Sequence, residues 1–425
     1  MGSGGVHMSF VGVSCVVLLL CFQQAAGDGF VTTQGTHFFV NGNPLFVNGF
    51  NSYWLMTMAT DPAQRDKVTT VFQEAKAHGL NVARTWAFND GQYKALQTSP
   101  GVYDEQVFQA LDYVVAEAKR HHIRLILSLG NNYENFGGKS QYVNWARSAG
   151  QSLSSEDDFF TNPTVKGYFK NHVKAVLTRV NTITGVAYKD DPTIFAWELM
   201  NEPRCLSDPS ANSIQGWLQE MASHVKSIDG NHLLEAGLEG FYTEYKKEAN
   251  PGFSVGTDFI ANNQIKEFDF ATVHSYPDIW LKGSDEQTQL SFLGNWLQTH
   301  LDDANKVLRK PVLFAEFGKS SKDPGFNNWQ RDNLFDTVYK HIYASASRGG
   351  AGAGGMFWQL MAPGMSSYGD GYEIVLSENL STASLIAAQS HKLNMVTHIF
   401  TQIYESEKMR KVYAHKKDKW HKIGV

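Results

Sequence analysis

Val107–Gly130 reads VFQALDYVVAEAKRHHIRLILSLG, and its two halves have different periods. Val107, Leu111, Val114, Val115 and Ala118 recur at helical spacing and put one apolar stripe on an otherwise polar helix. Beyond the basic turn Lys119–His122, the run Ile123–Gly130 is nearly continuously apolar. It is too short for another helix and has the composition of a strand covered on both faces. A helix packed against a doubly buried strand is the repeating element of a parallel α/β sheet.

The alternation continues in both directions. Further candidate strands are Pro44–Asn51, Leu80–Phe88, Thr193–Asn201, His232–Leu238, Phe268–Ser275, Pro311–Phe317 and Gly355–Leu360. Between them, Val68, Val71, Phe72 and Ala75, then Val165, Tyr168, Phe169, Val173 and Val176, then Ile214, Trp217, Leu218, Met221 and Val225, form helical stripes that serve core packing. Eight uninterrupted units predict an α/β fold, a single closed (β/α)8 TIM barrel, over residues 28–401. Ahead of the first strand, THFFVNGNPLFVNGFN (Thr36–Asn51) holds Asn41-Gly42, a two-residue hairpin signal. It predicts an N-terminal β-hairpin capping the barrel bottom. Gly349–Gly355 lacks the Lys-Ser/Thr ending of a phosphate loop and is read as a flexible approach to the eighth strand.

The chain has 425 residues, with 37 Lys and Arg against 42 Asp and Glu, a net charge of −5 that argues against nucleic acid as a partner. Residues 1–27 contain no Lys, Arg, Asp or Glu. Ser9–Phe22 is an apolar run too short to span a membrane, so residues 1–27 are expected to be a signal peptide cut after Gly27, although the segment before the run carries only His7. The mature protein is then expected to be secreted, extracellular or in a cell wall, with no membrane contact. Cys15 and Cys21 leave with that segment, and Cys205 alone remains, so no intrachain disulfide is available. Asn379-Leu380-Ser381 is an N-glycosylation sequon. Residues 402–425 carry seven Lys or Arg and three acids, a basic tail read as solvated. No motif calls for a metal or a cofactor; His121-His122 more simply ends a helix. A monomer is expected.

In such a barrel, functional groups sit at the C-terminal strand ends. The fourth strand runs into Trp197-Glu198-Leu199-Met200-Asn201-Glu202-Pro203, where proline is expected to stop the strand and leave Glu202 at the rim. Glu198 shares its face and reads as an interior hydrogen-bonding group. On the seventh strand, Glu316 is a lone carboxylate among apolar neighbours in Leu313-Phe314-Ala315-Glu316-Phe317-Gly318, a setting that demands a partner. Two carboxylates on strands three apart can both face the mouth. Such a pair hydrolyses a glycosidic bond with retention when about 5–5.5 Å separates them. Glu316 is then the nucleophile and Glu202 the acid/base, whose environment is expected to raise its pKa.

On these residues the chain resembles the plant endo-β-mannanases of glycoside hydrolase family five, over essentially the whole mature length. Asn201-Glu202-Pro203 is similar to the acid/base signature, and Phe314-Ala315-Glu316-Phe317-Gly318 to the nucleophile strand. Arg84 in Asn81-Val82-Ala83-Arg84-Thr85-Trp86, His274 and Tyr276 in Val273-His274-Ser275-Tyr276-Pro277, and Trp358 on the eighth strand match further motif positions. The resemblance implies endo-hydrolysis of β-1,4-mannans, including galactomannan and glucomannan, without a cofactor. Arg84 is expected to hold Glu316 through paired N–H donors, Asn201 to reach the sugar 2-hydroxyl, and Tyr276 to bond the nucleophile. Trp358 is expected to lie under the sugar at the cleavage point, with Trp86 and Trp280 stacking on neighbouring units. An endo-β-1,4-glucanase and a catalytically inactive polysaccharide-binding barrel are the alternatives. The surroundings of Trp54, Trp86 and Trp280 favour mannan by resemblance, and retention of both carboxylates argues against the inactive form.

Overall fold

The computed structural model describes residues 29–422, with the side chains of 407–422 excepted. The expected signal peptide lies outside the described residues. Eight parallel strands form one sheet: β1 (Val47–Asn51), β2 (Val82–Trp86), β3 (Arg124–Ser128), β4 (Ile194–Glu198), β5 (Leu233–Glu235), β6 (Ala271–Ser275), β7 (Val312–Phe317) and β8 (Gly352–Phe357). Their order is β5-β4-β3-β2-β1-β8-β7-β6. Two backbone bonds, Asp269 N–H to Leu234 C=O and His274 N–H to Glu239 C=O, each 2.9 Å, join β5 to β6 and complete the circle. The fold is the expected (β/α)8 barrel.

The helices that close the repeats are α1 (Arg65–Ala77), α2 (Glu105–Arg120), α3 (Pro163–Leu177), α4 (Asn212–Ile228), α5 (Phe259–Asn263), α6 (Glu286–Asp303), α7 (Asn328–Ala346) and α8 (Leu380–Lys422). Every apolar stripe residue named above for α1, α2 and α4 is buried against the sheet. Helix starts are marked chemically: Asp104, Asp285 and Asn327 accept first-turn N–H groups of α2, α6 and α7, which satisfies donors the helix itself leaves open. The backbone of α8 runs without a break through position 402, so the basic segment continues a helix up to Lys422. Phe400 packs near Phe46 and Tyr404 against Phe39, laying α8 on the N-terminal cap.

That cap has three antiparallel strands, Val31–Gln34, His37–Val40 and Asn43–Leu45, one more than the expected hairpin. Asn41 (φ 51°) and Gly42 (φ 79°) make the left-handed two-residue turn read from the sequence. Phe38 meets Phe195 and Phe270 at 5.0 and 5.2 Å between ring centres, and Val47, Val82, Ile126, Leu233 and Leu313 complete this plug at the strand starts.

Two boundaries differ from expectation. β4 ends at Glu198, well before Pro203, and the chain then continues as a loop tied to the loop after β3 by an Asn131–Asn201 bridge. Pro203 therefore does not end the strand. Gly349 and Gly350 precede β8, but Gly352, Gly354 and Gly355 belong to it: a Cβ on Gly354 (φ 145°) would stand 2.0 Å from the Val47 carbonyl, so only glycine lets β8 lie this close to β1.

Candidate active site

The C-terminal mouth of the barrel opens into a cleft of about 610 Å³. Glu316, on β7, reaches it from inside the barrel. Glu202 reaches it from the loop after β4, where its own backbone is left-handed (φ 49°) and its N–H is bonded to the Gly237 carbonyl at 2.9 Å. A left-handed non-glycine residue costs about 1–3 kcal/mol and persists only where the surroundings enforce it. Gly237 permits that enforcement, because a Cβ there would overlap the Met200 carbonyl.

Glu202 and Glu316 present oxygens within 4.8 Å of each other and of His274 Nδ1. His274 Nδ1 is 2.6 Å from Glu202 Oε1 and 3.6 Å from Glu316 Oε2. Tyr276 donates its hydroxyl to Glu316 Oε2 at 2.6 Å, and Tyr133 donates to Glu202 Oε2 at 2.7 Å. Among the described residues this trio also has the spacing of a cation site. Each of its members nevertheless has a protein partner within the hydrogen-bond distances just given.

Arg84, wholly buried beneath the cleft, ties four strand tips together. Its Nε and one terminal nitrogen pair with both oxygens of Glu198, at 2.5 and 2.7 Å. The remaining bonds go to Glu316 Oε1 (2.5 Å), Asn201 Oδ1 (2.7 Å) and Asn51 Oδ1 (3.0 Å). The paired donors expected on Glu316 are thus spent on Glu198, and Glu316 receives a single N–H. Planar fork geometry fits one carboxylate at a time, and Glu198 lies on the strand beyond β3 at the depth the fork can face. The Asn201 Nδ2 group donates to Asn131 Oδ1 at 3.0 Å and lines the cleft.

The aromatic residues divide. Trp358 stacks on Tyr53 (5.9 Å, 12° between planes), leans on Trp86 (6.0 Å) and bonds Asp370 through its indole N–H at 2.6 Å. Trp86, Trp280 and Trp358 all line the cleft, with Trp280 backed by Phe241 and Trp296. Trp54 does not: it is fully buried and its indole N–H is spent on the Leu360 carbonyl. Residues unanticipated from the sequence also line it, chiefly Tyr53, Tyr133, Arg204, Glu239, Phe253 and Asp370. Arg204 forks onto Glu239 (2.8 and 2.5 Å) and lies over the Tyr133 ring.

Electrostatics overturns one expectation. Burial pushes the Glu202 carboxyl up, but the hydrogen bond and charge of His274, with Arg204 and Tyr133 added, outweigh it and bring it down to about 2. Burial likewise raises Glu316; His274 and Arg84 pull it back, the Glu202 charge pushes it up again, and it stays above its ordinary value. His274 loses basicity through burial and gains more from Glu316 and Glu202, so its proton is held more tightly than usual. The charges around the pair therefore favour a proton on His274 over one on Glu202. Glu239, buried beside Glu202, rises to about 7 despite its Arg204 partner.

The profile described as GH family 5 beta-mannosidase-like, GH standing for glycoside hydrolase, matches residues 28–367. The chain belongs to glycoside hydrolase family 5. This family 5 member is 57% identical over 406 residues to mannan endo-1,4-beta-mannosidase 7 of Arabidopsis thaliana, covering 94% of each chain. It is 56% identical to mannan endo-1,4-beta-mannosidase 1 of Oryza sativa subsp. japonica, over 96% of this chain and 97% of that one. The crystal structure of the endo-1,4-beta-mannanase from Rhizomucor miehei superposes with a TM-score of 0.72 at 32% identity, covering 86% of this chain and all of the other. The family 5 barrel is an enzyme, a glycoside hydrolase. Among its described residues, no helix is long and apolar enough to cross a membrane.

Proposed function

We propose that the chain is a secreted, monomeric endo-β-1,4-mannanase. It cleaves internal bonds of mannan, galactomannan and glucomannan by retaining double displacement. The observation that carries the reading is the carboxylate pair of Glu202 and Glu316, with oxygens within 4.8 Å across a cleft walled by tryptophans. That separation leaves no room for the water an inverting enzyme places between its carboxylates, which needs about 6.5–9.5 Å.

Glu316, oriented by Tyr276 and Arg84, attacks the anomeric carbon while the bond to the departing oxygen breaks. The departing oxygen takes a proton from Glu202. As the charge of Glu316 is consumed, His274 loses part of what holds its proton, and that proton passes to Glu202 along their 2.6 Å hydrogen bond. In the second step Glu202 removes a proton from water, which attacks the glycosyl ester and frees Glu316. Trp358, held by Asp370 and Tyr53, is the platform for the sugar being cut, and Trp86 and Trp280 extend it to either side. The names and the high identity of the plant relatives support mannan as the substrate.

The test uses purified mature protein on galactomannan, glucomannan and carboxymethylcellulose, reading new reducing ends and, by proton NMR, the first-formed anomer. Mannan scission giving the β-anomer, reduced about 10³-fold or more in Glu202→Ala and Glu316→Ala, is the expected result. Faster scission of the cellulose derivative would overturn the substrate, and a first-formed α-anomer would overturn retention. A mature N-terminus at Asp28, read by sequencing protein recovered from the medium, tests secretion.

A further inference from the structure

The network beneath the cleft sets three buried carboxyl groups, Glu198, Glu316 and Glu235, around the single guanidinium of Arg84. Glu235 on β5 stands opposite Glu198 on β4 in parallel register, and both are wholly inaccessible to solvent. Glu235 Oε2 accepts from the Gly237 N–H at 2.5 Å and from the Thr272 hydroxyl of β6 at 3.1 Å. Its Oε1 has no donor. Glu198 meanwhile takes two donors from Arg84 of β2, and the single charge of that arginine already meets two carboxylates, Glu198 and Glu316. The charged and titratable groups around this point are therefore Glu198, Arg84, Glu316 and, farther along β6, His274.

Two adjacent buried carboxylates with one shared cation repel, and an unpaired buried charge is expensive. A proton on Glu235 Oε1 removes both problems: it supplies the missing partner and turns the repulsion into a hydrogen bond. The electrostatics agrees. Burial, then the charge of Glu198, then a hydrogen bond to Glu198, push Glu235 well above the ordinary carboxylate range, while Arg84 overcomes burial and holds Glu198 below it.

We infer that Glu235 is a positioning residue of the hydrolase centre: a carboxylic acid kept neutral at working pH, whose Oε1–H donates to Glu198. It thereby fixes the Arg84 fork that orients Glu316. The inference rests on Glu316 being the nucleophile. Glu235 is not among the residues that line the cleft; it acts through Glu198 and Arg84, and it also accepts the N–H of Gly237, whose carbonyl holds the Glu202 N–H.

Glu235→Gln and Glu235→Leu, compared with the wild type on galactomannan, test it. Glutamine keeps a neutral group with a donor, so kcat is expected within about threefold of wild type. The alkaline limb of the pH profile, where ionisation of Glu235 breaks the network, should move upward. Leucine removes a donor to a charged group and should lower kcat about 10- to 100-fold with KM little changed. Glutamine as damaging as leucine, or an alkaline limb that does not move in Glu235→Gln, would overturn the inference. Should Glu235→Leu fail to fold, infrared difference spectroscopy decides. A protonated-carboxyl C=O band in the wild type at pH 8, absent from Glu235→Gln, upholds the neutral acid, and no difference between the two refutes it. That band is read without turnover, so a wild type that hydrolyses nothing would sink the nucleophile assignment while leaving the protonation of Glu235 measurable.

Discussion

His274 Nδ1 stands 2.6 Å from Glu202 Oε1, close enough for one proton to be passed between imidazole and carboxylate. Because His274 is the strongest influence holding Glu202 down to about 2, its removal leaves burial dominant. In His274→Ala the carboxyl of Glu202 is expected to titrate higher, and kcat to fall about 10²-fold or more. The pH dependence of kcat/KM for both proteins checks this, and an unchanged alkaline limb, where the general acid loses its proton, would refute it.

Tyr133 acts on the same carboxylate from the other side, donating to Oε2 at 2.7 Å. A donor to the ionised form lowers a pKa, so deleting it raises that pKa. Tyr133→Phe should therefore shift the Glu202 limb in the same direction as His274→Ala but by less, since His274 is the larger influence. Titration of Glu202 in a Glu316→Ala background, with and without Tyr133→Phe, isolates the effect, and equal titration in both would refute it.

Tyr276→Phe deletes the hydroxyl that donates to Glu316 Oε2 at 2.6 Å. A hydrogen bond to a charged group is worth about 1.5–3 kcal/mol, which corresponds to about a 10- to 150-fold loss. The loss should fall on kcat, and the melting temperature should stay near that of the wild type. A variant with wild-type kcat would remove Tyr276 from the nucleophile's support.

Asp90 controls stability rather than chemistry. It is wholly buried, and its Oδ1 accepts from Gln97 at 2.9 Å and Tyr142 at 3.3 Å while Oδ2 lacks a partner. Burial outweighs those bonds and raises its pKa to about 7. A folded-state pKa above the unfolded one contributes stability that is complete below the unfolded value and is lost as pH rises through about 7. Asp90→Asn stays neutral, so its melting temperature should decline less than that of the wild type between about pH 5 and pH 8. Parallel decline in both proteins would show that Asp90 is not the group responsible.

The barrel was legible because its strands are buried on both faces and its helices on one, and those two periods survive in the sequence. Glu316 was legible for a related reason, since a single carboxylate in an apolar strand must have a partner. Glu235 in Leu233-Leu234-Glu235-Ala236-Gly237 carries the same mark, a lone carboxylate in an apolar strand, with no motif around it to name its role. Tyr133 had a weaker cue, the polar run Asn131-Asn132-Tyr133-Glu134-Asn135 at the end of the third strand. The partition of Arg84 among Glu198, Glu316, Asn201 and Asn51 depends on how neighbouring strands are staggered, and no one-dimensional pattern records that stagger. Trp54 shows the converse: an aromatic residue near the mouth in sequence can be spent entirely on packing.

A single guanidinium clamps β1, β2, the end of β4 and β7 to one another from below. The floor of the cleft is thereby held as one unit, while Phe253, Trp280 and Asp370 stand on its walls from separate loops. Floor and walls are consequently separable in this chain. A wall segment that touches neither Glu202 nor Glu316 can change shape without loosening the clamp beneath it.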